Sequence, residues 1–131
     1  MSDRRGITHV LIADDHAGYR EGVARLIEDH PELHVVGVAA DGQEALDRIV
    51  ALQPDVALLD VRMPGHTGIE VCRRLRDSGD APSTRVVLIT GVPDPVLSQQ
   101  AVAAGAAALI GKETPPPEIC AHLLAARNRP A

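Results

Sequence analysis

Aromatic side chains are almost missing from this chain of 131 residues: Tyr19 stands alone, and Phe and Trp are absent. Packing must therefore come from Val, Leu, Ile and Ala, and with 45% of the residues apolar the chain can fill one core. Cysteine is scarce as well. Cys72 and Cys120 are the two present, in separate helical patterns and without metal-ligand spacing, so they read as reduced packing thiols. No apolar run reaches the roughly 18 residues of a membrane span, and the segment 1–6 is too short and polar for a secretory leader. No membrane association and a cytoplasmic location are therefore expected. The formal charge is −5 and no Lys/Arg-rich block occurs, which removes the broad basic surface used in non-specific nucleic-acid binding. Contact with DNA would need a further domain.

What is present is an alternation. Short runs rich in Val, Leu and Ile, near 9–13, 34–38, 56–60, 85–89 and 107–110, are separated by segments of helical period. That pattern predicts repeated βα units around a mostly parallel sheet. The first helix is expected over 17–29, with Tyr19, Val23, Leu26 and Ile27 on one face and Pro31 stopping it. Asp41 and Glu44 form a capping-box-like start for the second, which should bury Ala45, Leu46, Ile49 and Val50. Thr67 and Glu70 repeat that signature for the third, which turns Cys72 and Leu75 inward. Asp94 followed by Pro95 opens the fourth and Gly105 closes it. Thr114, Pro115 and Pro116 each precede a proline, which favours extended backbone and predicts Pro117 as the first residue of the fifth helix. No internal linker or repeat divides the chain, so a single domain over 1–131 is expected, frayed at 1–6 and 128–131.

The strands share one peculiarity: polar residues gather at their carboxyl ends. The first runs into Asp14 and Asp15, the third ends on Asp60, the fourth on Thr90 followed by Gly91, and the fifth is followed by Lys112. Ligands of parallel α/β sheets collect outside those ends. Each residue has an ordinary explanation, since Asp14 or Asp15 could cap a helix, Thr90 could bond to backbone and Lys112 could be a solvated charge. Together they call for something more. Three converging carboxylates repel one another unless a cation intervenes, and hard oxygen donors of this kind suit Mg²⁺. Metal, ammonium, hydroxyl and carboxylate then suit phosphoryl transfer with Asp60 as nucleophile. Arg62 stands two residues after Asp60, where a second acid would serve a phosphatase, so turnover of phosphate esters is not expected. A dinucleotide binder is disfavoured too, because Asp14-Asp15-His16 offers negative charge where a Gly-rich turn would be needed.

The set Asp14-Asp15, Asp60-Val-Arg-Met-Pro-Gly65, Thr90-Gly91 and Lys112 resembles the receiver domain of bacterial two-component response regulators over essentially the whole chain. The resemblance implies a (βα)₅ flavodoxin-like α/β fold of three layers with strand order 2-1-3-4-5. It implies phosphotransfer from a sensor histidine kinase to Asp60. Mg²⁺ would be held by Asp15, Asp60 and the backbone carbonyl of Arg62, with Asp14 acting mainly through water. Thr90, Gly91 and Lys112 would line the phosphoryl position, Thr90 being the switch hydroxyl that reshapes a surface of helix four, strand five and helix five, where a homodimer could also form. Asp14-Asp15-His16 with Tyr19-Arg-Glu-Gly22, and Lys112-Glu-Thr114, further resemble the NarL/FixJ-type regulators, which carry a DNA-binding output domain. Such a domain is not within this sequence, so a piece of a longer regulator and a stand-alone receiver both remain open.

Two departures from that pattern bear on signalling. Leu109 stands where receivers commonly carry an aromatic or His, and Ala108 replaces a usual glycine, which brings a phosphorylation-independent adaptor into consideration. Glu113 replaces the proline that usually comes after the lysine; a cis bond before a non-proline residue costs roughly 2.5–4 kcal/mol, so a trans bond is expected.

Overall fold

In a computed structural model, which describes residues 6–128, the five apolar runs form one parallel sheet in the order β2-β1-β3-β4-β5. The strands are β1 (Thr8–Ala13), β2 (Leu33–Ala39), β3 (Val56–Asp60), β4 (Arg85–Thr90) and β5 (Ala108–Gly111). Between and after them run α1 (Ala17–Glu28), α2 (Gly42–Leu52), α3 (Gly68–Ser78), α4 (Pro95–Ala104) and α5 (Pro116–Arg127). Apart from Gly6 and Asn128, both in turns, the segments expected to fray lie outside the described residues. All described peptide bonds are trans.

The alternation of side chains along each strand divides the core into two layers. Leu11, Ala57, Leu59 and Leu88 pack under α2, α3 and α4, whereas Val10, Ile12, Leu58, Val87 and Ile89 pack under α1 and α5. Because both faces are covered, β3 is buried at every position, which explains why it reads as an unbroken apolar run ending in a carboxylate. Ile27, Ile49, Leu58 and Leu123 are among the largest fully buried side chains; truncating any one to Ala would cost about 2–5 kcal/mol.

Helix starts follow local chemistry. Asp41 accepts from the Glu44 N–H at 2.8 Å, Asp94 accepts from the Leu97 N–H at 2.8 Å, and Thr67 with Glu70 forms a complete capping box. α4 stops at Gly105. Two helical details differ from expectation. Val50 is 39% exposed, because α2 buries only Gly42, Ala45 and Ile49 fully and leaves Val50 beside an open groove between α2 and α3. α5 begins at Pro116, one residue early. Pro115 keeps the extended geometry favoured before a proline, with ψ of 144°, but Pro116 enters the first turn, where a missing N–H is no loss.

Strand register brings the polar strand ends together. Ala13 pairs with Leu59, so the next residues, Asp14 and Asp60, emerge side by side; Thr90 pairs with Gly111, so Lys112 leaves the sheet next to Thr90.

Candidate functional site

The carboxyl edge of the sheet brings Asp14, Asp60 and Lys112 into direct contact. Asp14 and Asp60 are 1% and 3% exposed, and burial without counter-charge would be costly for either. Lys112 supplies that charge to both. Its Nζ lies 2.8 Å from Asp14 Oδ2 and 3.0 Å from Asp60 Oδ2. The remaining oxygens are also engaged: Asp14 Oδ1 accepts from the His16 N–H at 2.8 Å, and Asp60 Oδ1 accepts from the Arg62 N–H at 3.2 Å.

These contacts set the charge balance. Burial raises the Asp60 carboxyl above its ordinary value; the hydrogen bond from Lys112 pulls the other way, and the Asp14 charge adds to the rise. For Lys112, burial lowers the ammonium, but the hydrogen bonds and charges of Asp14 and Asp60 together outweigh it and hold the group above its ordinary value. The ammonium is therefore charged at neutral pH, while Asp60 ionises with more difficulty than a free carboxyl.

Asp15 lies at the mouth of the site with its side chain 32% exposed, and His16 Nδ1 stands 3.2 Å from both Asp14 Oδ1 and Asp15 Oδ1. Asp14, Asp15, His16 and Asp60 each offer a ligand atom, all within 4.8 Å of one another. One ammonium against three converging carboxylates leaves negative charge uncompensated. That donor set fits a divalent cation, and its predominance of carboxylate oxygens suits Mg²⁺.

Thr90 is buried at the end of β4, and its hydroxyl accepts from the Val92 N–H at 3.2 Å, while its carbonyl accepts from the Lys112 N–H at 2.8 Å. The hydroxyl thus heads the turn that carries Gly91, beside which an added Cβ would find open space. Arg62 is exposed, and its backbone is tied to Asp60 through the N–H described above.

The loop from Val61 to Thr67 is held by two close backbone approaches. Gly68 lies so near the Asp60 carbonyl that a Cβ there would overlap it, and its N–H donates to the Val61 carbonyl at 3.0 Å. At the far end of the loop, Gly42 of α2 donates to the Pro64 carbonyl at 3.0 Å and touches the backbone of His66, where a Cβ would likewise overlap.

Three participants carry no site role in the sequence reading. His16 enters the acidic cluster; its signal is its place directly after Asp14-Asp15. Arg20 donates to the Asp14 carbonyl at 2.7 Å, tying α1 to the site. Tyr19 places its ring beneath Lys112, with Nζ 4.5 Å from the ring centroid. Helical periodicity marks Tyr19 only as a packing residue.

Comparison with known proteins agrees with this geometry. Residues 10–124 match the family model described as the response regulator receiver domain. The chain is 44% identical over 115 residues to the probable transcriptional regulatory protein NarL of Mycobacterium tuberculosis, covering 88% of this chain and 52% of that protein. It is 39% identical over 104 residues to the DNA-binding transcriptional activator DevR/DosR of the same organism, covering 79% and 47% respectively. The chain thus spans about half the length of these curated relatives. Among solved structures, the signal receiver domain of the putative response regulator NarL from Mycobacterium tuberculosis superposes with a TM-score of 0.88 at 40% identity, covering 94% of this chain and 98% of that one.

Proposed function

The chain belongs to the response regulator receiver domain family of two-component systems, and from that premise we propose that Asp60 accepts a phosphoryl group from the phosphohistidine of a sensor histidine kinase. The observation that carries this is the environment of Asp60: a buried carboxylate, bound by one ammonium, opening toward a cluster of acids. An Asp60 carboxylate oxygen attacks phosphorus as the P–N bond to imidazole breaks, and the bonding pair leaves with the imidazole nitrogen. The product is an acyl phosphate.

Each neighbour has a role in that transfer. Lys112 places positive charge where the phosphoryl oxygens arrive, and the Thr90 hydroxyl and the Gly91 backbone flank the same position. Asp15, Asp60 and the Arg62 carbonyl would hold Mg²⁺, with Asp14 acting mainly through water. The metal, when bound, supplies charge neutralisation for the transferred group. Arg62 occupies the place of a second acid, so the site stores the phosphoryl group rather than turning over small esters.

The signal would pass to the surface of α4, β5 and α5, where Thr90 heads the turn into α4 and a homodimer could form. The NarL and DevR/DosR similarities support transcriptional output through a DNA-binding domain that is not within this sequence. One domain acting in the cytoplasm completes the reading. The described residues contain no helix long and apolar enough to cross a membrane.

Acetyl phosphate or phosphoramidate with Mg²⁺ should label the wild type and leave Asp60→Asn unlabelled. Persistent labelling of the variant would remove the proposal. A second reading, a phosphorylation-independent adaptor, is favoured by Leu109, which packs partly buried against the α2-α3-α4 side where an aromatic switch is usual. An adaptor would bind its partner equally well as Asp60→Asn.

A further inference from the structure

The ammonium of Lys112 rests on three supports: Asp14, Asp60 and the face of Tyr19. They differ in one respect. Both carboxylates belong to the chemistry, since Asp60 loses its free anionic oxygen as an acyl phosphate and Asp14 faces the proposed cation. The Tyr19 ring keeps its negative face throughout. It is the one support of the three whose attraction for the ammonium is unchanged by loading the site.

The surroundings of Lys112 give that support a purpose. Its backbone is held by the N–H bond to Thr90, but four rotatable bonds separate that anchor from Nζ, and Glu113 stands next in the chain where a proline would have stiffened the backbone. The lysine side chain is 18% exposed, so water is near enough to draw a released ammonium away. Tyr19 comes from α1, which Arg20 fastens to the Asp14 carbonyl and which packs through Val23 and Ile27 into the core. The ring therefore stands on a rigid element.

The phenol hydroxyl does not explain the residue. It is buried and has no hydrogen-bond partner among the described residues, an arrangement that costs free energy relative to Phe. What Tyr19 contributes at this place is the ring face.

We propose that Tyr19 is a positioning residue, its ring holding the Lys112 ammonium over the phosphoacceptor while the carboxylates change partners. The proposal rests on the phosphotransfer role of Asp60 and Lys112. It extends the site to a helix α1 side chain, at a position where an ordinary packing residue would leave phosphotransfer untouched.

The test compares wild type, Tyr19→Phe and Tyr19→Leu, with Tyr19→Met as a second ring-free variant should Leu fail to fold. Two quantities are read: the rate of Asp60 labelling by phosphoramidate with Mg²⁺, and the NMR order parameter of the Lys112 side-chain terminus. The Phe variant should match wild type within about twofold. The ring-free variant should label roughly fivefold more slowly, within the range of a partly desolvated cation–π contact, and its Lys112 terminus should become more mobile. A ring-free variant with either the wild-type rate or wild-type Lys112 order overturns the proposal. Should the wild type itself resist labelling, the phosphotransfer reading fails, and the Lys112 order parameter alone decides whether the ring holds the ammonium.

Discussion

Asp60 and Lys112 are 52 residues apart in the chain and 3.0 Å apart in space, joined by a hydrogen bond across the end of the sheet. Lys112 reaches the same distance range to Asp14, so one cation serves two buried acids. A site of this kind holds its charges for use rather than for stability, and removing either partner should expose that imbalance.

Asp60→Asn should be more stable than wild type at neutral pH without metal. Burial raises the Asp60 carboxyl, opposed by Lys112 and reinforced by Asp14. A raised acid favours the folded state fully below its ordinary value of 3.8, and that contribution is lost as pH rises through the raised value. The wild type therefore carries a cost at pH 7 that Asn removes. Urea unfolding should show a gain on the order of 1 kcal/mol, shrinking as pH falls toward about 4; a gain independent of pH would contradict the charge explanation.

Lys112→Ala should be destabilised without metal. Two buried carboxylates lose the ammonium that neutralises both, and Asp60 also loses its hydrogen bond to a charged donor, which together cost about 2 kcal/mol. The Lys112 ammonium is held above its ordinary value, so its contribution is complete at neutral pH and disappears only as pH rises through that elevated value, above 10.5. Added Mg²⁺ should recover part of the loss in the same unfolding measurement. Equal stability of variant and wild type at pH 7 would show that Lys112 does not balance the acids.

Gly68→Ala should affect both folding and metal binding. An added Cβ would overlap the Asp60 carbonyl and lie 3.0 Å from Leu88 Cδ2, so the end of β3 must shift. Overpacking of this kind costs about 1–3 kcal/mol. Mn²⁺ affinity, read by electron paramagnetic resonance, should fall together with stability. Unchanged affinity would mean that the displacement does not reach the acids.

Thr67→Ala removes the capping box of α3, in which the Thr67 hydroxyl accepts from the Glu70 N–H at 3.1 Å and the Glu70 side chain accepts from the Thr67 N–H at 2.8 Å. The expected loss is about 1 kcal/mol, or roughly 4 °C in Tm for a chain of this size. Calorimetry measures it directly. Asp60 labelling should stay at the wild-type rate, because the loop remains held without the cap by the bonds from the Gly68 N–H to the Val61 carbonyl and from the Gly42 N–H to the Pro64 carbonyl.

Much of this architecture was legible in the sequence because a parallel sheet covered on both faces writes its strands as apolar runs. β3 is the clearest instance, buried from Val56 to Asp60. Strand order was not legible from spacing, since the same alternation can be wound in more than one order; it came only with the family resemblance. Val50 shows where periodicity fails: an apolar residue on the expected stripe of α2 faces an open groove, because burial depends on how far the neighbouring helix reaches. At the site, Asp14, Asp60 and Lys112 were visible as polar residues ending apolar runs. The contact of Tyr19 with Lys112 was not, because it joins the first helix to the residue after the last strand, and local sequence pattern does not specify such a meeting.

The scarcity of aromatic residues has a practical consequence. With no Trp or Phe, the near-ultraviolet absorption and intrinsic fluorescence of this chain arise from the one phenol ring of Tyr19, 4.5 Å from the ammonium that bridges Asp14 and Asp60. A cation or phosphoryl group arriving at those acids alters the electric field at that ring. This chain therefore contains its own optical probe of the acidic site, free of background from any other aromatic residue within the sequence, and occupancy can be followed without a label.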